Sequence, residues 1–261
     1  MRFDGAPARR GGSRALSLTR RHMIFGMGGV VVTGAGVALA RIGSGGPPTA
    51  PPPLPAEHIA EIVDVTDPLT VNQRWELKTT HNALLGRIAV GDTLSFDLLV
   101  PSENGPLRSV FSGVKPDPGE QANPLLHNRN MMHVAYAAFL DKAQKAPLAV
   151  DGITQGARTS PIVEAMRVLA LRGPVDEIEL WSDMVNSTGT VDHFNKKFPE
   201  FGAAMTQKVA LTGLASLKGV RVTIYQIAVN TAYQTRRLRQ WWDAYWNCVG
   251  AAEVRWVQVP R

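Results

Sequence analysis

IAEIVDVTDPLT, residues 59–70, is the stretch whose reading decides the fold. Ile59, Ile62, Val63 and Val65 make an apolar, β-branched run, the composition of a strand buried on both faces. The run ends among acids and hydroxyls: Asp64, Thr66, Asp67 and Thr70. Asp67 followed by Pro68 has the form of a helix start, an acid at the N-cap and proline at the first helical position. A strand that passes straight into a helix leaves its polar residues at the strand's carboxyl end. In open α/β sheets that rim is where ligands bind. Asp64 and Thr66 are therefore expected to face a site there.

Outward from this stretch, strands and helices alternate. Pro68–Ile88 reads as a helix, with Leu77, His81, Leu84, Leu85 and Ile88 on one face. His81 on that face is expected to be a packed core histidine. Thr93–Val100 is a second strand, and Leu107–Phe111 a short edge piece within the loop-rich residues 101–127. Asn128–Lys145 has helical spacing through Met132, Val134, Ala135, Phe139 and Leu140, and its His133 falls on a different face from His127. Thr159-Ser160-Pro161 opens another apolar helix, with hydroxyls at the N-cap and Pro161 at the first position. Glu177–Met184 is a third strong strand, ending in Ser182, Asp183, Asn186, Ser187 and Thr188. Phe194–Phe201 is an aromatic loop that includes Lys196 and Lys197. Gly202–Leu217 reads as a helix and Val220–Val229 as a strand. Thr235–Val249 is a helix whose aromatic stripe (Trp241, Trp242, Tyr245, Trp246) has the spacing of a face packed on a sheet. Glu253–Val259 closes the chain as an edge strand. This order predicts an α/β fold, a doubly wound, mainly parallel sheet with one antiparallel edge strand.

Charge divides the chain. Residues 1–41 hold seven arginines against the single acid Asp4, and the remaining 220 residues balance 21 basic against 21 acidic side chains. The net charge of +6 therefore belongs to the tail. A nucleic-acid footprint needs a basic patch on the domain, and none with aromatic interleaving is evident. Cys248 is the only cysteine, so no intrachain disulfide forms. Residues 1–22 read as a basic cytoplasmic tail. Residues 23–42 read as a signal or transmembrane segment, uncharged up to Arg41 and at the short edge of a membrane span. The preceding Thr19-Arg20-Arg21-His22 resembles a twin-arginine export signal, and Ala38-Leu39-Ala40 is a small-x-small cleavage site. Residues 43–57 are a Pro/Gly-rich spacer, and 58–261 the folded domain. The expectation is an inner-membrane anchor with the domain outside the cytoplasm, or an exported periplasmic form, with a soluble tail as the third outcome.

Two carboxylates, Asp64 and Asp183, close two strands, with a hydroxyl-led helix start between them in the chain. Oxygen donors without cysteine or a histidine cluster suit a hard divalent cation such as Mg²⁺. Capping of the following helices is the purely structural alternative. A hydrolase would want a Gly-x-Ser-x-Gly elbow and a late histidine. Ser182 lacks the glycines and the last histidine is His193. Catalysis is not implied.

These pieces together resemble a von Willebrand factor type A domain: a strand into Asp64-Val65-Thr66, the hydroxyl-Pro turn opening the helix of Ser160–Ala170, and a strand ending in Ser182-Asp183. The resemblance extends over residues 58–261 and is nearest to bacterial members with an Asp-x-Thr-Asp-Pro-Leu-Thr start. It implies a Rossmann-like fold and a metal-ion-dependent adhesion site. In that site Asp64 matches the leading acid, Thr66 the first serine, Ser160 or its neighbour Thr159 the second-loop threonine, and Asp183 the third-loop acid. Pro68 stands where the family has its second serine, so Thr70 or water would have to replace that ligand. Met184 stands where many relatives have glycine. The implied function is binding of a protein partner, with a partner's acidic side chain completing Mg²⁺ coordination. Two rivals remain: a structural subunit of an envelope or conjugative assembly with a vestigial metal site, and a hydrolytic α/β enzyme.

Overall fold

The computed structural model describes residues 56–101, 105–120, 128–153, 156, 157, 159–195, 197, 198, 200–210, 217–229 and 231–261. The basic tail, the hydrophobic segment, the linker up to residue 55, His127, Lys196 and residues 211–216 lie outside them. Among the described residues no helix is long and apolar enough to cross a membrane.

Strands β1 (His58–Asp64), β2 (Thr93–Leu99), β3 (Leu107–Val114), β4 (Glu177–Ser182), β5 (Arg221–Ile227) and β6 (Glu253–Val259) form one sheet in the order β3-β2-β1-β4-β5-β6. Every neighbouring pair is parallel except β2 with β3, so β3 is the antiparallel edge strand. It runs to Val114, beyond the expected Phe111, because Lys115 closes a turn with Asp92 and carries the pairing to its end.

Helices pack on both faces. Helices α3 (Ile162–Arg172) and α5 (Arg236–Val249) share one core with Ala60, Ile62, Ile178, Leu180, Val222 and Ile224. Helices α1 (Val71–Arg87) and α2 (Arg129–Lys145), with the 3-10 turn Ala146–Val150, pack on the residues of β1 and β2 that point the other way, Ile59, Val63, Leu94, Phe96 and Leu98. The short helix α4 (Ala203–Ala210) lies between β4 and β5 in the chain. The expected doubly wound α/β architecture is present. In α5, Trp242, Tyr245 and Trp246 are fully buried and Trp241 nearly so, so the aromatic stripe is core.

Three local expectations are corrected. α1 starts at Val71, three residues later than Asp67-Pro68 suggested. Its cap is Thr70, whose hydroxyl accepts the Gln73 amide while the Gln73 side chain accepts the Thr70 amide. That reciprocal pair satisfies two amides at once and outcompetes a single aspartate cap. α3 has Pro161 in the cap position with no side-chain cap of its own, so neither Thr159 nor Ser160 caps it. On α2 only Phe139 and Ala143 are buried, while Met131 and Val134 are exposed, because the helix covers the sheet edge with its second half alone.

Candidate functional site

The order of the sheet reverses between β1 and β4. From β1 the chain first moves outward to β2 and β3, then crosses the other face through α3 to β4 on β1's far side. The strand ends part there, and such a switch point is the natural crevice of an open α/β sheet. Ile62 pairs with Leu180 and Val63 with Trp181, so the next positions, Asp64 and Ser182, arrive side by side.

Asp64 is the centre of what gathers there. Its Oδ1 accepts the Thr66 amide (3.0 Å) and the Thr66 hydroxyl (2.6 Å). Its Oδ2 accepts the hydroxyls of Ser160 (2.9 Å) and Ser182 (2.8 Å). Burial pushes the carboxyl pKa up, and the hydrogen bonds from Thr66, Ser182 and Ser160 pull it back only in part. In its ionised form the carboxylate can accept all four. Three hydroxyls drawn from three separate segments are then what holds that charge in a buried place.

Each hydroxyl is aimed by its surroundings. Ser160 is freed from capping because Asn186 caps α3 from the far side, its Oδ1 accepting the Val163 amide at 3.0 Å. The Ser187 amide donates to the Ser160 carbonyl, tying the two loops together. Asn186 is itself fixed by donating to the Val191 carbonyl at 2.7 Å. Thr66 is pinned by its carbonyl, which accepts the Ala157 amide. A Cβ on Gly156 would stand 3.0 Å from that carbonyl oxygen, so a larger residue would push the two loops apart by a few tenths of an ångström. Asn186→Ala should cost about 2–3 kcal/mol, one cap plus one buried amide bond. Urea unfolding reads this directly, and a change below about 0.5 kcal/mol would show that α3 needs no borrowed cap.

Asp183 follows the end of β4 and shares a small cleft with Asp64, Thr66 and Asp67. Its Oδ1 accepts the Val185 amide at 2.8 Å, a local turn and not a helix cap. Met184 takes φ +64°, the left-handed region, where a side chain is strained. The turn is held by Met184 N–H donating to Ser182 Oγ and by the Trp242 indole donating to the Met184 carbonyl. The core thus sustains a backbone that glycine would adopt without strain.

The structure therefore brings Asp64, Thr66, Ser160 and Asp183 to one rim, while Thr159 is exposed and it is Ser160 that reaches Asp64. Thr70 is occupied as the α1 cap and does not replace the donor lost at Pro68. Ser182, beside Asp64, is a further member of the network, and the pairing of β1 with β4 is the signal that finds it. His193 is a neutral packed ring: burial lowers its pKa to about 4, and its Nδ1 accepts the Asn186 amide.

As donors for a hard cation, Thr66 and Ser160 suit the role, since each gives its proton to Asp64 and retains lone pairs on its oxygen. Ser182 Oγ additionally accepts an amide and is satisfied within the protein. Among the described residues no three His, Cys, Asp or Glu side chains are grouped as metal ligands. A cation at this rim would have to rest on hydroxyls, at most the two acids, and water.

No family model matches the chain, and no curated protein matches it. Among solved structures it is similar to the human COPII-coat protein Sec24c, with a TM-score of 0.42 and 11% identity over 78% of this chain and 29% of that one. This chain thus spans less than a third of that protein's length. The mainly parallel sheet with one antiparallel edge is compatible with a von Willebrand type A-like fold.

Proposed function

We propose that residues 58–261 are a protein-binding module that docks its partner at the rim formed by β1 and β4. The observation that carries this is the convergence of three hydroxyls on one buried carboxylate at the point where the strand order reverses. A network so placed shapes a surface crevice while holding charge ready beneath it. Thr66, Ser160, Asp64 and Asp183 are the residues that would hold Mg²⁺, directly or through water. The ion would supply a positive centre for a partner's carboxylate. The uncharged residues 23–40 behind a basic flank support a tether that presents the domain outside the cytoplasm. Pro68 and the capping role of Thr70 favour a second reading, a structural subunit of an envelope assembly with a vestigial site.

Calorimetric titration of the full-length chain with Mg²⁺, and crosslinking in cells, separate the two. For the first reading, Thr66→Ala and Asp183→Asn weaken Mg²⁺ binding by about tenfold or more and lose the crosslinked complex, each variant being shown still folded by its urea unfolding transition. A complex that survives both variants, and is lost only when residues 1–42 are removed, overturns the first reading in favour of the second.

A further inference from the structure

The other end of the sheet carries a second cluster of charged groups. On β5, Val222, Ile224 and Gln226 are buried, whereas Arg221 and Thr223, which point to the opposite face, are half-exposed. On that face α1 and α2 cover β1–β3 and leave the amino-terminal halves of β4–β6 open. The strands spell this out by alternation: Glu177 and Glu179 in β4, Arg221, Thr223 and Tyr225 in β5, Glu253 and Arg255 in β6. Register places them in rows, Glu177–Arg221–Glu253 and then Glu179–Thr223–Arg255. The small Thr223 between two long charged neighbours leaves a hollow, a cavity of about 380 Å³ walled by Thr80, Ala83, Leu84 and Arg87 of α1.

The groups in the hollow are unequally satisfied. Glu177 receives Arg87 and Arg221, which hold it ionised with a pKa lowered to about 2 against its burial. Glu179 is 6% exposed and has Arg87 on Oε1 (2.9 Å), but its Oε2 has no partner in good hydrogen-bond geometry, only Glu177 and the Tyr225 hydroxyl as near neighbours. A buried carboxylate oxygen without a donor is costly. Across the hollow Arg255 is exposed and makes no ion pair among the described residues. Glu179 and Arg255 stand two strands apart, about 9.6 Å between backbones.

We propose that this cavity binds a small zwitterion whose cationic nitrogen donates to Glu179 and whose carboxylate, several bonds away, meets Arg255. The aliphatic stem between them lies over Thr223 against Ala83 and Leu84. This site is independent of the β1–β4 rim. The ligand's cation needs Glu179 ionised. Burial and Glu177 raise the Glu179 pKa to about 7, against the Tyr225 hydroxyl and Arg87. The charged and titratable groups around it are Arg87 and His81 from α1, Glu61 from β1, Glu177 from β4, Arg221 and Tyr225 from β5, and Glu253 and Arg255 from β6.

The test is calorimetric titration of the full-length chain with aminocaproate, and with hexylamine and caproate as single-ended probes. Aminocaproate should bind about tenfold or more tighter than either, and about tenfold more weakly at pH 6 than at pH 8, following the ionised fraction of Glu179. Glu179→Gln, an isostere of the protonated side chain, should lose both the binding and the pH dependence. Arg255→Gln, at an exposed position, should bind aminocaproate no better than hexylamine. Equal affinity for all three probes, unchanged binding in Glu179→Gln, or no heat at tens of millimolar aminocaproate overturns the proposal.

Discussion

Asp64→Ala should destabilise the domain by about 3–5 kcal/mol, the sum expected when two or three buried donors lose their acceptor. The hydroxyls of Thr66, Ser160 and Ser182 and the Thr66 amide all end on this one side chain. They come from the loop after β1, the approach to α3 and the end of β4. Losing the carboxylate thus unties three segments at once, and the adjoining cleft lets water repay only part of the loss. Asp64→Asn should cost far less, about 1–2 kcal/mol, for two reasons. The amide oxygen still accepts two donors, and its NH₂ can donate to hydroxyls that turn to accept. The exchange also removes a charge that burial disfavours. Because burial raises the Asp64 pKa, its ionisation works against the fold: stability from this group is greatest below the unfolded carboxyl pKa and falls as pH climbs through the folded value. A bound cation reverses that sign. Urea denaturation at neutral pH ranks the variants, and about 1 kcal/mol corresponds to a 2–4 °C shift in Tm for a domain of this size. Asp64→Ala within 1 kcal/mol of the parent would mean that the rim holds together without its carboxylate.

What the sequence disclosed about this rim, and what it concealed, follow from the same physics. Runs such as IAEIVD and RVTIYQI are legible because burial selects β-branched residues over several positions in a row. Asp64 and Asp183 are legible because an acid closing an apolar run needs a reason. Where two local signals compete, the pattern is ambiguous. Asp67-Pro68 and Thr70-Val71-Asn72-Gln73 both spell a helix start, and the capping box wins because it satisfies two amides. Ser160 had the form of a cap because its true partner, Asp64, is 96 residues away and its replacement at the helix end is Asn186. The α2 stripe misleads in another way: periodicity reports that a face is apolar, not that a partner covers it. The alternation Glu-Ile-Glu, Arg-Val-Thr and Glu-Val-Arg in β4–β6 was readable as strands with one polar face. Only the topology shows that this polar face is left open by the helices.

The buried pair beneath α1 gives the other large effect. His81 is fully buried, with Nδ1 2.5 Å from Glu61 Oε2 and Nε2 2.9 Å from the Ala143 carbonyl. A carbonyl only accepts, so Nε2 carries a proton, and Glu61 takes the second from Nδ1. Burial alone would lower the His81 pKa, but the hydrogen bond and charge of Glu61, helped by Ala143, raise it above 6.5. His81 is the packed core histidine expected, edge-on to Phe96, and its buried partner Glu61 favours the charged ring. Its linkage follows in sign: a folded pKa above the unfolded one gives stability that is complete below about 6.5 and is lost as pH rises through the folded value. His81→Phe leaves Glu61, 1% exposed, without its counter-ion and should cost about 3–5 kcal/mol. The double variant Glu61→Leu, His81→Phe replaces both partners by apolar groups and should return to within about 1–2 kcal/mol of the parent, since exchanging a whole buried pair is often neutral. Urea unfolding of the four proteins at two pH values closes the cycle. The parent should lose stability relative to the double variant as pH rises from below 6.5 into the alkaline range. If His81→Phe is as stable as the double variant, Glu61 and His81 are not coupled, and the proton assigned to Nδ1 is not there.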